Sequence, residues 1–312
     1  MKLGVITDGI SRDFTHALDV IVECGLTHAE LQFIGDQEIG DLGPAEMQAV
    51  KSALAARDLR VPCISRHNFV GLGVTETGPT DPAFVRQMDA FKCTIDAAHA
   101  VDSPLVRIMG FRKEMILFGS GGAEDWNVAT GAWDALLDLT RPAIEIAAAA
   151  GVTMVIETGN GGMVNSAHLA ARLVAEIDSS HLQVLWDPAN CLYSGETAFP
   201  DGYEALAGCL GHVHIKDTRV WPHRATIEQK QYGHGHLGSH MAGIAAALRA
   251  DGYAGVVSFE SVHRPAGGAF EDGFRASITG FLRDFAGPAG LHPLPKPSRA
   301  GRFAPAGQRE SR

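Results

Sequence analysis

Short apolar runs, each followed by a segment with helical spacing, recur along this chain at intervals of ~30 residues, and that alternation limits the fold more than any other feature. The runs are Leu3–Asp8, Thr27–Gly35, Leu59–His67, Ser103–Gly110, Val152–Glu157, His181–Asp187, Gly211–Asp217 and Gly255–Glu260. Helical spacing marks Ser11–Cys24, a segment opening at Pro44, then Ala83–Ala100, Trp133–Ala150, Ser166–Ile177, His240–Arg249 and Phe270–Phe285. Val152–Asn160 (VTMVIETGN) shows the pattern most clearly: β-prone residues suited to a strand buried on both faces stop at Glu157 and break into glycine. Eight such units predict a single (β/α)8 TIM barrel over residues 1–286. The competing doubly wound sheet loses ground because no GxGxxG follows the first run. From Gly287 the chain turns to Pro, Gly, Ala and Arg without an apolar face, so residues 287–312 read as an irregular or disordered tail. The connection Phe111–Thr130, with its GSGG, is long enough to be a candidate lid, and Trp126 on it a candidate to close over a ligand.

Composition narrows the partners. A formal net charge of −10, without a basic block in the body of the chain, argues against nucleic acid or an anionic membrane. Nothing approaches the ~18 uninterrupted apolar residues of a membrane span. Five scattered cysteines (24, 63, 93, 191, 209) form no CxxC pair and fit reduced thiols, so a cytoplasmic location is expected.

Active groups of α/β barrels sit at the C-terminal ends of the strands. The last four runs carry Glu157, Asp187, His214 and Glu260 at or near those ends. The first three are about one βα unit apart, and the longer gap to Glu260 holds the loop from Thr218 to Gly238. Alone, each has an ordinary explanation as a cap or a satisfied core residue; together, at successive strand ends, they predict one barrel-mouth site. Three carboxylates and an imidazole, without thiolate, suit one divalent ion: Mn²⁺ first, with Mg²⁺, Co²⁺ or Zn²⁺ as alternatives.

VIETGNG, LWDPANCL, GHVHIKD and GYAGVVSFE resemble segments of the sugar phosphate isomerase/epimerase superfamily, the xylose isomerase-like TIM barrels. The resemblance covers most of the barrel and is weakest before residue 60. It implies that Glu157, Asp187, His214 and Glu260 bind one divalent metal, and that Glu157 and Glu260 also shuttle protons. His212 would sit lower in the barrel and support the site. Three positions depart from the pattern. Asn190 stands where His is common, Gly233-His234-Gly235 replaces a G-E-G loop, and Met163 takes the place of an epimerase glutamate.

The chemistry implied is that of a sugar isomerase or epimerase. A divalent ion chelated by a carbonyl and a hydroxyl acidifies the C–H beside them and stabilises the developing enediolate. The substrate class is a ketose or related polyol ketone. A lyase that dehydrates an inosose or dehydroshikimate-like ketone begins with the same proton abstraction and is the alternative. A non-catalytic sugar-binding barrel ranks lower, as does abasic-site DNA cleavage of the endonuclease IV type, given the acidic chain.

Further candidates for substrate binding are His67, Arg107, Asn190, Lys216, Asp217, Arg219 and His234. Arg107 lies inside a strand, where an unpaired charge is costly, so it needs a carboxylate or substrate partner. Arg219 and His234, with His223, Arg224 and His236, lie on the loop after the seventh strand, where they could meet an anionic group. Many barrels of this type associate, so a homo-oligomer is an open expectation.

Overall fold

The computed structural model describes residues 1–114, 131–224 and 226–287. Residues 115–130, with Trp126 and most of the expected lid, and 288–312, nearly all of the expected tail, lie outside this description. The barrel strands are β1 (Lys2–Ile6), β2 (His28–Glu30), β3 (Cys63–Asn68), β4 (Leu105–Ile108), β5 (Thr153–Glu157), β6 (Leu182–Trp186), β7 (Leu210–Ile215) and β8 (Val256–Phe259). All neighbours pair in parallel, in the order β2-β1-β8-β7-β6-β5-β4-β3. The ring closes where β2 meets β3. There the Ala29 amide donates to the Arg60 carbonyl (2.9 Å) and the Ser65 amide to the Leu31 carbonyl (2.8 Å). The result is a TIM barrel.

Each strand is followed by a helix: α1 (Phe14–Glu23), α2 (Pro44–Ala55), α3 (Pro82–Ala100), α4 (Ala132–Ala150), α5 (Ala167–Ile177), α6 (Pro188–Tyr193), α7 (Met241–Ala250) and α8 (Phe270–Phe285). Their starts follow local chemistry. Asp13, Asp81 and Ser166 accept backbone N–H groups at the N-termini of α1, α3 and α5, and α2, α3 and α6 begin with proline. Gly151, at φ +72°, ends α4 in the left-handed region and turns the chain into β5.

Alternation along the strands separates two cores. Ile64, Val106, Ile156, Val184, Val213 and Val257 belong to the continuous apolar layer that also contains the helices' buried faces. Cys63, Val155 and Leu185, with Leu105 packed on them, form a separate small cluster. Two residues further along the same strands stand Ser65, Glu157, Asp187 and Arg107. One side of each strand therefore changes from apolar to polar within a single repeat of two.

The sequence expectations differ from the structure where short-range pairing intervenes. The second run, expected through Gly35, leaves the barrel after Leu31, and Phe33–Ile34 folds back on Gln37–Glu38 as a small antiparallel hairpin. The third begins at Cys63 rather than Leu59, directly after Pro62, which has no N–H to give a ladder. The connection after β7 holds a hairpin, Asp217–Trp221 paired antiparallel with Thr226–Lys230.

Phe281 is fully buried and stacks between Phe259 and Phe285, at centroid distances of 5.3 and 5.1 Å. Phe281→Ala should lower unfolding free energy by about 3–5 kcal/mol, read as a reduced denaturant midpoint.

Candidate metal centre at the barrel mouth

Glu157 is the last residue of β5, Asp187 follows β6, His214 lies near the end of β7, and Glu260 follows β8. Each offers one ligand atom, and all four atoms lie within 4.8 Å of one another. Asp187 spends Oδ1 on α6, accepting from the amides of Ala189 (2.9 Å) and Asn190 (3.2 Å), which leaves Oδ2 for the site. His214 Nδ1 is buried without a hydrogen-bond partner, 3.6 Å from Glu157 Oε1 and 3.7 Å from Glu260 Oε2. An orphaned imidazole nitrogen between two carboxylate oxygens, with a third carboxylate beside them, fits a divalent cation.

The surrounding charges are paired with care. Arg107 Nη1 donates to Glu157 Oε2 at 2.8 Å, and its Nη2 donates to the Ser65 carbonyl. Lys216 Nζ donates to Glu260 Oε2 at 2.8 Å and makes an ion-pair contact of 2.6 Å with Asp187 Oδ2. Beneath the site, Glu30 is fully buried and receives three donors. These are His212 Nε2 (2.7 Å), His214 Nε2 (2.7 Å) and the Ser65 hydroxyl. Glu30 thereby fixes which nitrogen of His214 faces the cation site, the arrangement by which carboxylates orient metal-binding imidazoles.

These contacts move the ionisation equilibria. Against the penalty of burial, the two histidines hold the Glu30 carboxyl well below its usual range. Burial likewise opposes the charge of Glu157, yet Arg107, His214 and Lys216 together outweigh it and keep that carboxylate ionised. His214 is driven up to about 10, because Glu30 and then Glu157 favour its charged form more than burial disfavours it. Asp187 is pushed up to about 6 by burial, reinforced by Glu260 and Glu157 and opposed by Lys216.

Residues 18–284 match the family model described as xylose isomerase-like TIM barrel. The chain belongs to this family. A curated inosose dehydratase of Geobacillus thermodenitrificans (strain NG80-2) is 24% identical over 243 residues, covering 74% of this chain and 75% of that protein. The probable 3-DHS dehydratase AsbF of Bacillus anthracis superposes with a TM-score of 0.70 at 16% identity, covering 89% of this chain and 98% of its own. The 3-keto-D-glucoside 4-epimerase YcjR of E. coli gives 0.64 at 22% identity, with coverages of 89% and 99%. Structural neighbours have been solved with zinc or with magnesium. Proteins of this fold thus include both epimerases and dehydratases.

In this xylose isomerase-like barrel a cleft of ≈ 390 Å³ opens above the four residues; Glu157, Glu260, Lys216, Arg107, Asn190 and His67 all line it. Asn190 Nδ2 donates to Glu157 Oε1 at 3.4 Å. His67 pairs through Nδ1 with Glu38 (2.5 Å) and lies 3.3 Å through Nε2 from the Gln32 amide nitrogen. Three candidates from the sequence stand elsewhere. Asp217 turns away from the cleft and accepts the amides of Thr218 (2.9 Å), Gly235 (2.8 Å) and Leu237 (3.1 Å). A Cβ at Gly235 would lie 2.1 Å from Asp217 Oδ1, so that turn needs glycine there. Arg219 donates to the His234 carbonyl (3.1 Å), and the His234 side chain is exposed. Met163, six positions after Glu157, is buried, and its sulfur receives the Glu114 amide.

Glu30 and its contacts to the two histidines went unassigned in the sequence. In the fold Glu30 closes a strand in which every residue is buried, the kind of position Glu157 occupies, but within the run Thr27–Gly35 no strand end marks it. At pH 7 the metal-free His214 carries its extra proton, since its pKa lies near 10, whereas a ligating imidazole must be neutral. Metal binding should therefore release about one proton near pH 7 and approach about two near pH 5, where Asp187 is also protonated. Titration calorimetry in buffers of different ionisation enthalpy reads this count directly, and affinity should fall with falling pH, more steeply below about 6.

Proposed function

We propose that the protein is a divalent-metal-dependent isomerase or epimerase of an uncharged ketose or related polyol ketone, working by proton removal from the carbon next to the carbonyl. The observation that carries this reading is the convergence of Glu157, Asp187, His214 and Glu260 on one point at the floor of an open cleft. A divalent ion held there would supply Lewis acidity to adjacent carbonyl and hydroxyl oxygens. Glu157 and Glu260 both line the floor of the cleft, so a carboxylate stands there to take a proton. Asn190 and Lys216 stand beside them as hydrogen-bond donors for substrate oxygens.

The cleft also indicates the charge of its substrate. Among the described lining residues, each arginine or lysine already has a carboxylate partner: Arg107 with Glu157, Lys216 with Glu260 and Asp187, and Arg112 with Glu76 at 2.8 Å. The other polar side chains on the wall include the amides of Gln32, Asn160 and Gln229. Such a lining suits hydroxyl groups better than phosphate.

A second reading, dehydration of a cyclic polyhydroxy ketone, draws support from the similarity to inosose dehydratase and begins with the same step. Ketohexoses, inosose and their phosphorylated or carboxylated counterparts, incubated with Mn²⁺-loaded protein and followed by NMR, separate the outcomes. Epimer or isomer formation supports the first reading and loss of water the second, and the uncharged ketones should be preferred. Turnover confined to phosphorylated substrates would overturn the charge assignment. Asp187→Asn and His214→Ala should lose bound metal and about 10²–10⁴-fold in turnover while circular dichroism stays unchanged.

A further inference from the structure

The two glutamates on the cleft floor differ in what their oxygens have left to give. Glu157 Oε2 accepts from Arg107 at 2.8 Å, while Oε1 accepts from Asn190 at 3.4 Å and faces His214 Nδ1 at 3.6 Å. Arg107 cannot swing aside cheaply. It projects from β4, is 2% exposed, and is tied to the Ser65 carbonyl on β3 as well as to Glu157 on β5. Breaking the first would leave a buried donor and carbonyl unpaired, and breaking the second two buried charges uncompensated. Glu260 is arranged otherwise. Its Oε2 takes Lys216 and faces His214 Nδ1, whereas Oε1 has no hydrogen-bond partner among the described residues. Its side chain is 18% exposed, against 4% for Glu157.

We propose that Glu260 alone is the base, acting through Oε1, and that Arg107 is a positioning residue that withholds Glu157 from proton transfer. The inference rests on the proton-abstraction reading above and sharpens it. The C–H bond next to the carbonyl breaks, its proton passes to Glu260 Oε1, and its electron pair enters the C=C bond of an enediolate. Glu260 then returns the proton to the former carbonyl carbon on the same face, while the hydroxyl on the carbon that lost it gives its proton to the former carbonyl oxygen and becomes the new carbonyl, which completes an isomerisation. Alternatively, the enediolate electrons re-form the carbonyl and expel a hydroxyl from the next carbon, which leaves as water with the proton held by Glu260. Inverting a single carbon needs a second base on the opposite face. Glu157, with both oxygens engaged, does not provide one. The chain is therefore built for single-face chemistry, an isomerisation or a syn elimination, and not for epimerisation by two carboxylates.

The test uses full-length protein with its metal content measured, incubated in D₂O with inosose, D-fructose and D-tagatose and followed by NMR. Deuterium should enter the exchanging carbon on one face, with inverted product rare relative to exchange. Glu260→Gln, with metal still bound, should lose exchange by about 10²–10⁴-fold. Arg107→Gln, which frees Glu157 Oε2, should raise the share of inverted product, and Arg107→Lys should restore the wild-type share; a purely structural arginine would move the rate and leave stereochemistry alone. Inversion by the wild-type protein at a rate comparable with exchange would overturn the proposal, as would exchange within about tenfold of wild type in metal-loaded Glu260→Gln. An unchanged inverted share in Arg107→Gln would remove Arg107 from the account. Bound metal without exchange in any ketone would instead sink the broader reading, and the proposal with it. The wild-type stereochemistry decides even where a variant does not fold.

Discussion

An ionised group taken out of water must find its opposite, and the upper half of this barrel is arranged around that requirement. Glu30 is held by two imidazoles, Glu157 by Arg107, and Asp187 with Glu260 by Lys216, all within the ring of strands. Removing one member would strand its partner, so these groups hold one another in place. The apolar floor of Cys63, Val155 and Leu185 supports them from below. The outer apolar layer of helices on strands supplies the hydrophobic stability that such a polar interior does not.

This pairing also sets what the site can exchange. Lys216 pairs with carboxylate oxygens of Asp187 and Glu260 that a divalent ion would also use, so ammonium and cation would share two of the ligands. Glu30 acts one step further out, reading the tautomer of His214 from beneath and leaving Nδ1 to face the cluster. The chemistry of the cleft therefore depends on groups from β2, β3 and β4 as much as on the four strand-end residues.

Much of the architecture was legible because two periodicities rarely overlap by accident. Runs such as VTMVIE and HLQVLW, followed by helical stripes, located all eight strands, and Phe270–Phe285 was read with its true bounds. The strand-end rule also brought Glu157, Asp187, His214 and Glu260 onto one candidate site, and their side chains do converge. The demand for a partner at Arg107 followed from burial alone, although its identity did not. Less visible was anything set by contacts across the ring. Glu30 sits in a strand of three residues with a hairpin just beyond, which in sequence blurs into a longer run. The hairpin after β7 alternates too weakly to announce itself, and its turn is tied down by Asp217, a residue that sequence alone placed in the cleft. Lys216 and Asp217 are adjacent, and nothing in their order states which one faces inward.

That adjacency has a mechanical meaning. Successive side chains on an extended segment point to opposite sides. A single peptide unit thus sends an ammonium down among the acidic groups and a carboxylate outward to grip the glycine turn at Gly235. Rim and floor of the cleft share one pivot. The outer turn and Lys216 are thus held a single backbone link apart.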